Sequence, residues 1–306
     1  MKLLITRHDK IGDFITALPL VKAIKTQHPA THITLLVAPI NTQFARTLPW
    51  VDGVIVYEKK GFWSLVRTLR REKFNASISC FITTRLGWLL FLSNIGVRIA
   101  PATKLAQFFF NRRITQRRSH VAMTEWQYNL ELGMGLFPDF NPTFSPPLLA
   151  YETPANPQEK KVVFHPGSGG STDGNLRLFD YMHLARLAST LPNTKVFFTF
   201  GPDDAALKEE VEKLLDFPAT VLPTFGTLEE FCRFLSTCAL FVSTSTGPMH
   251  LAGAVNIPTL SFFGSSTFAS SKRWAPVNDP NKQHNFMLEA GYTLAPIEAA
   301  LQKALA

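Results

Sequence analysis

The sequence predicts an α/β chain made of two similar halves, each a parallel sheet with helices on both faces. Three observations carry that prediction. Short apolar, strand-like runs alternate with helical patterns in both halves, and such alternation implies parallel strands joined by crossover helices. The alternation breaks once, over residues 138–161, where Pro138, Pro142, Pro146, Pro147, Pro154 and Pro157 crowd together, as in an interdomain linker. With 306 residues, 46% of them hydrophobic, the chain can fill two cores of ordinary domain size. Residues 1–150 and 151–306 are therefore read as two domains.

In the first half, residues 2–6 form a short apolar run read as a buried strand, and residues 14–26 show a helical spacing of apolar side chains. Residues 32–38 and 54–57 read as strands, 62–73 as a helix, and 76–82 as strand-like. After the proline cluster the same order resumes. Strands are expected at 161–165, 195–200, 219–222, 239–243 and 259–263. Helices are expected between them at 179–190, 204–215, 228–236 and 249–255. The chain end, beyond these elements, is expected to form a helix that can pack back on the first domain. No short-period repeat or low-complexity tract is present.

The formal net charge of +8 divides unevenly. Residues 1–150 hold 19 Lys and Arg against 8 Asp and Glu, while residues 151–306 hold 12 against 15. All the excess positive charge lies in the first half, which suits an anionic partner: nucleic acid, a membrane surface or a phosphorylated substrate. The opening apolar stretch is too short for a signal peptide, so the chain is expected to stay in the cytoplasm. The longest apolar segment, residues 86–92, falls far short of the ~20 residues of a spanning helix. Cys80, Cys232 and Cys238 follow neither a metal-ligand nor a redox spacing and read as reduced, buried thiols.

Three segments carry chemistry. The first, Arg7-His8-Asp9-Lys10-Ile11-Gly12-Asp13, joins the first strand to the first helix, where ligands sit in open α/β sheets. Asp13 reads either as a ligand-facing carboxylate or as a helix cap or first-turn acid favoured by the dipole. Lys10 is a candidate cation beside it. The second runs from His165 through Pro166, Gly167, Ser168, Gly169 and Gly170 to Gly174. Its backbone N–H groups suit phosphate or sugar oxygens, and a plain surface turn is the alternative. The third is Ser243-Thr244-Ser245-Thr246-Gly247-Pro248-Met249-His250. Its Gly-Pro after hydroxyl residues is a sound helix start, whose free N–H groups would hold a diphosphate. His250, one turn in, can donate to the same anion. No Gly-Lys-Ser/Thr phosphate loop, dinucleotide fingerprint, Asp-x-Asp pair, metal-spaced cluster or Gly-x-Ser-x-Gly elbow occurs.

These segments resemble a known family. Ile11-Gly12-Asp13 with Leu18-Pro19 and Lys22, then His165-Pro166-Gly167, then Ser245 to Ala254 followed by Pro258-Thr259 and Phe263-Gly264, are similar in order and spacing to the bacterial heptosyltransferases of glycosyltransferase family nine. The likeness runs from residue 3 to about 275. It implies a GT-B architecture, two Rossmann-like domains facing across a cleft, with acceptor held by the N-terminal one and donor by the C-terminal one. It also implies inverting transfer of L-glycero-D-manno-heptose from ADP-heptose to the lipopolysaccharide inner core, without metal or other cofactor and with Asp13 as general base. Ser168, Gly169, Arg177, Gly226, Thr227, Ser245, Thr246, Gly247 and His250 are the implied donor contacts, and Phe225 is either an adenine platform or a core residue. The chain departs from the family at two places. Ser245 stands where an acidic residue is common, and Arg177 is the nearest cation where a lysine is usual.

The basic half has specific runs, Arg67, Arg70, Arg71 and Lys73, then Arg112, Arg113, Arg117 and Arg118 beyond Phe108-Phe109-Phe110. Arg67, Arg112 and Arg113 are candidates for an acceptor's phosphates, and the aromatics for shallow insertion into the inner membrane face. Solvated surface charge is the alternative. The expected partners are a nucleotide-sugar donor and an anionic glycolipid acceptor, with peripheral membrane contact and no nucleic acid. Two other readings stay open: the same fold with another donor or acceptor, and a catalytically silent sugar-nucleotide or membrane-binding module.

Overall fold

Strands form where apolar runs are too short and too β-branched for helices, and the central ones bury almost completely. Leu3, Leu4 and Ile5 at the N-terminus, and Val162, Val163 and Phe164 after the prolines, are shielded from solvent. The computed structural model describes residues 1–58, 60–152, 159–168 and 174–306. The chain separates into two units, Met1–Phe144 and Ser145–Ala306, and the break falls inside the proline cluster.

The first unit runs β1 (Lys2–Arg7), α1 (Ile11–Gln27), β2 (His32–Val37), α2 (Pro39–Thr47), β3 (Gly53–Val56), α3 (Phe62–Glu72), β4 (Ala76–Ser79), α4 (Thr84–Leu92), β5 (Val97–Pro101), β6 (Arg112–Ile114) and α5 (Glu125–Glu131). Its six strands lie in the order β3-β2-β1-β4-β5-β6, all parallel. Helix α1 begins at Ile11 rather than 14, because the Lys10 carbonyl already accepts from the Phe14 N–H at 3.0 Å. Strand β4 stops at Ser79 rather than 82, since the next carbonyl, on Cys80, turns toward the guanidinium groups of Arg7 and Arg118.

The second unit runs β7 (Lys160–His165), α6 (Leu178–Ser189), β8 (Thr194–Phe198), α7 (Ala205–Leu214), β9 (Thr220–Val221), α8 (Leu228–Leu235), β10 (Leu240–Thr244), α9 (Gly247–Ala254), β11 (Thr259–Gly264), α10 (Ser271–Trp274), β12 (Gln283–Leu288) and α11 (Ala295–Leu305). The order β12-β11-β10-β7-β8-β9 is the topology of the first unit repeated, with the first strand of each unit beside its fourth. The C-terminal helix α11 buries Ile297, Leu301 and Leu305 in the core of its own unit, beside Leu184 and Ala188 of α6.

In this topology the strand order reverses between the first and fourth strands, and the crevice outside their carboxyl ends is where ligands bind. That point lies between β1 and β4 in the first unit and between β7 and β10 in the second. All three cysteines are free and buried. Among the described residues no helix is long and apolar enough to cross a membrane.

Candidate active site

At the first switch point, β1 ends in an arginine that the sheet carries into the interior. The Arg7 side chain is only 4% exposed. Its Nε donates to Asp9 Oδ1 at 2.8 Å, Nη1 to Glu125 Oε1 at 3.3 Å, and Nη2 to Asp13 Oδ1. Glu125, the first residue of α5, also accepts from Arg118 Nη1 at 2.7 Å. Arg118 is oriented by Gln116 Oε1, at 3.0 and 2.8 Å from Nε and Nη2. Asn129, on the next turn of α5, donates to the carbonyl and hydroxyl of Thr16 at 3.2 Å, and Thr16 donates to the Asp13 carbonyl at 2.7 Å. A continuous polar chain thus fixes the first turn of α1.

The electrostatics follow from this packing. Burial opposes the charge on Arg7, but Asp9, Asp13 and Glu125 outweigh it and push its pKa above the ordinary value. Burial pushes Asp9 up to about 6; Arg7 pulls it down and the neighbouring Asp13 pushes it up. His8, packed on Tyr57 with ring centroids 4.2 Å apart, is pushed down to about 4 by burial and then by Arg7 and Arg85, so it is neutral near pH 7. Asp13 is the third residue of α1, whose cap is Lys10; of its two proposed structural roles it takes the first-turn one. Its Oδ1 is held by Arg7 and its side chain remains 23% exposed. An oriented carboxylate with one open oxygen can take a proton from a hydroxyl placed against it.

At the second switch point, His165 closes β7 and its Nδ1 lies 3.0 Å from Thr199 Oγ1. Burial pushes this imidazole down to about 4. The chain then passes Gly167, where a Cβ would sit 2.1 Å from Asp204 Oδ2, so a larger residue would have to push that carboxylate aside. Ser168, half-buried, is the last residue of this loop to be described; Gly169 lies outside the described residues. The loop reappears at Gly174, with φ +99° and room for no Cβ against the Gly264 backbone. This close approach lays the loop's end across β11, and the Gly174 carbonyl accepts from Thr244 Oγ1 at 3.3 Å.

Ser243 and Thr244 belong to buried β10, so of the four consecutive hydroxyl residues only Ser245 and Thr246 form the turn. Thr246 is the cap residue of α9, but its hydroxyl donates back to the Thr244 carbonyl at 3.3 Å. The first N–H groups of α9 receive no side-chain cap from it, and Gly247 opens the helix with no side chain over them. His250 is buried, 3% exposed, with its ring 6.4 Å from that of Trp274.

The other sequence candidates divide. Arg177 caps α6; its Nε donates to Asp180 Oδ2 at 2.7 Å and its guanidinium lies 5.4 Å from the Tyr292 ring centre. Its side chain is nevertheless 72% exposed. Thr227 caps α8, accepting from the Glu230 N–H at 3.1 Å while Glu230 Oε2 accepts from the Thr227 N–H. Gly226 is exposed beside it. Phe225 packs on Phe231 and Phe234, centroids 5.0 and 5.3 Å away. Lys10, Arg67, Arg112 and Arg113 are all exposed. Arg118 is not part of that surface run, because it turns inward to Glu125. Of the three successive phenylalanines only Phe108 is open, at 72% exposure, while Phe110 is 3% exposed in the core. Among the described residues no group of three or more His, Cys, Asp or Glu side chains is placed to hold a metal ion.

The sequence singled out Asp13 but missed the arginine that holds it and the glutamate behind that arginine. An arginine directly ending an apolar strand was the available signal for Arg7. Glu125 lies 118 positions away from it, and no local pattern joins the two.

Comparison with known proteins supplies the context for this geometry. A family model described as glycosyltransferase family 9 (heptosyltransferase) matches residues 62–292. A protein of Haemophilus influenzae provisionally named as a glycosyltransferase is 33% identical over 95% of this chain and 90% of its own length. Lipooligosaccharide heptosyltransferase 2 of Campylobacter jejuni is 23% identical over 91% of this chain and 86% of its own. Among solved structures, the E. coli ADP-heptose lipopolysaccharide heptosyltransferase II aligns with a TM-score of 0.82 over 100% of this chain and 98% of its own, at 16% identity. E. coli heptosyltransferase WaaC with ADP aligns at 0.80 over 99% and 100%, also at 16% identity. At such identities the structural likeness establishes the fold, which is of the GT-B type.

Proposed function

The chain belongs to glycosyltransferase family 9, the heptosyltransferases, and from that premise we propose that it moves L-glycero-D-manno-heptose from ADP-heptose to the lipopolysaccharide inner core. Transfer proceeds with inversion, without a divalent metal, and with Asp13 as general base. The observation that carries this reading is the Asp13 carboxylate at the first switch point, one oxygen fixed by buried Arg7 and the side chain partly open.

In the proposed reaction an acceptor hydroxyl oxygen attacks the anomeric carbon as Asp13 takes its proton. The bond from that carbon to the diphosphate oxygen breaks on the opposite face, and ADP leaves with the electron pair. The departing charge needs fixed donors where it develops. The start of α9 supplies them: uncapped N–H groups behind Gly247, with the helix dipole directed at the same point. Ser245, Thr246 and His250 border that point, and Ser168 with Gly169 belongs to the neighbouring loop. Gly226 and Thr227 are proposed on the nucleoside side, and Lys10, Arg67, Arg112 and Arg113 for phosphates of the acceptor. The acceptor is a glycolipid of the inner membrane face, which the protein meets as a cytoplasmic, peripheral enzyme.

A second reading keeps fold and reaction but changes the donor. It is favoured by Ser245 in place of an acid and by Arg177, whose guanidinium is already engaged by Asp180 and Tyr292. Turnover of ADP-heptose, measured as ADP release and heptosylated product with a heptose-deficient lipopolysaccharide acceptor, decides between them. The first reading expects ADP-heptose to outcompete UDP-, GDP- and TDP-sugars and activity to survive EDTA. Turnover confined to another nucleotide sugar would establish the second reading, and loss of activity on EDTA treatment would remove metal independence.

A further inference from the structure

The first unit presents a basic and aromatic surface of which the proposed reaction uses only Arg67 and Arg113. On α3, Trp63, Arg67, Arg70 and Arg71 recur at helical spacing, so they share the face opposite buried Leu65, Val66 and Leu69. Trp63 is 65% exposed. Helix α4 continues this surface. Its buried Leu86, Leu89 and Leu90 face the core, while Trp88 and Phe91 stand 46% and 51% exposed. Arg70 joins the two helices by donating from Nε to the Leu92 carbonyl at 2.7 Å. The short 3-10 turn Leu105–Phe109 adds Leu105 and Phe108, 82% and 72% exposed, and is tied to α4 by the Trp88–Phe109 ring contact at 4.8 Å.

Between the ends of α3 and α4 lies a groove of about 810 Å³ with Arg70, Lys73 and Arg98 on its walls and Phe91 at its edge. The Arg98 guanidinium stacks 5.4 Å from the Phe91 ring centre, and that of Arg113 lies 5.9 Å from Phe108. Among the described residues, none of Arg67, Arg70, Arg71, Lys73, Arg98 and Arg113 forms an ion pair with a carboxylate. Folded proteins usually pair or disperse such charge, and they rarely expose this many large apolar side chains together.

We propose that this face of α3, α4 and the 3-10 turn is a docking surface for an anionic lipid bilayer. The exposed aromatic rings enter the headgroup layer, and lipid phosphates occupy the basic groove between the two helix ends. Charge complementarity selects this occupant: among the described residues these cations meet backbone carbonyls and aromatic rings but no carboxylate, so their charge is not neutralised within the protein, and Trp with Arg is the pairing that suits an interface wet on one side and apolar on the other. The inference rests on the reading that the acceptor is anchored in a membrane, and it adds which surface of the enzyme meets that membrane.

The full-length protein is sedimented with vesicles of phosphatidylethanolamine and phosphatidylglycerol, and with vesicles of phosphatidylcholine alone. Binding is expected only to the anionic vesicles and to weaken with salt. Arg71→Ser with Lys73→Ser lowers the partition coefficient about 30-fold, and Trp63→Ser lowers it further. Lipids brominated on their acyl chains quench the wild-type protein, and Trp63→Phe removes part of that quenching, a readout independent of any loss of folding. Absence of binding to anionic vesicles overturns the proposal, as does binding and quenching that these substitutions leave unchanged. Vesicle binding needs no sugar substrate. A protein that docks through this face yet transfers no heptose contradicts the proposed reaction alone. One that transfers heptose to a deacylated, water-soluble acceptor yet binds no vesicle contradicts the docking surface alone.

Discussion

Arg7 is the residue on which the first unit's site depends, since one buried guanidinium orients Asp9, Asp13 and Glu125 together. Replacing it with methionine leaves those carboxylates facing one another without their common partner. Arg7→Met is expected to cost about 3–5 kcal/mol in urea unfolding, and Arg7→Lys to recover only part of that, because an ammonium cannot reproduce the forked contacts. His165 sets a pH dependence. Its folded pKa of about 4 lies below the usual 6.5, so the unfolded chain binds the extra proton between those values. Its contribution is fully present above about pH 6.5 and is lost as pH falls through that window, a loss of up to about 3 kcal/mol. His165→Asn should flatten the decline of the unfolding midpoint between pH 7 and pH 4.5. Asp13 was legible in the sequence because glycine and an acid at a strand-to-helix turn form a local pattern. The Arg7, Glu125 and Arg118 contacts were not, because they join positions far apart in the chain.

Among the elements, the long central strands and their crossover helices were legible, since a run such as Leu3-Leu4-Ile5 has one reading. What escaped were elements without a distinct period. Strand β6 is Arg-Arg-Ile, polar because it lies at the sheet edge, and β12 is led by Gln283, His284 and Asn285. Helix α4 is so apolar that its two exposed aromatic positions could not be separated from its core by composition. In helix α8 the hydroxyl of Thr227, one of the candidate donor contacts, is engaged in a reciprocal cap with Glu230. Thr227→Ala is therefore expected to lower stability by about 1 kcal/mol. If capping is its main role, the donor KM stays within about twofold; a KM rise of tenfold or more, near 1.4 kcal/mol, would show direct donor contact.

For the whole molecule, the charge division read from the sequence coincides with two units of the same topology. The first carries all the excess positive charge; among the described residues Arg67, Arg70 and Arg71 of α3, with Lys73, Arg98 and Arg113, form no ion pair with a carboxylate, whereas Arg7 and Arg118 near Asp13 are paired. Charge alone left nucleic acid among the candidate partners. Under the proposed function the partners are instead a nucleotide sugar and a glycolipid. The proposal that Asp13 removes the acceptor's proton is decided by single-turnover heptose transfer by purified Asp13→Asn with ADP-heptose saturating. Loss of a positioned general base should lower the transfer rate about 10²- to 10⁴-fold, with ADP binding and the unfolding midpoint little changed. A variant that transfers heptose within a factor of two of the wild-type rate would contradict it.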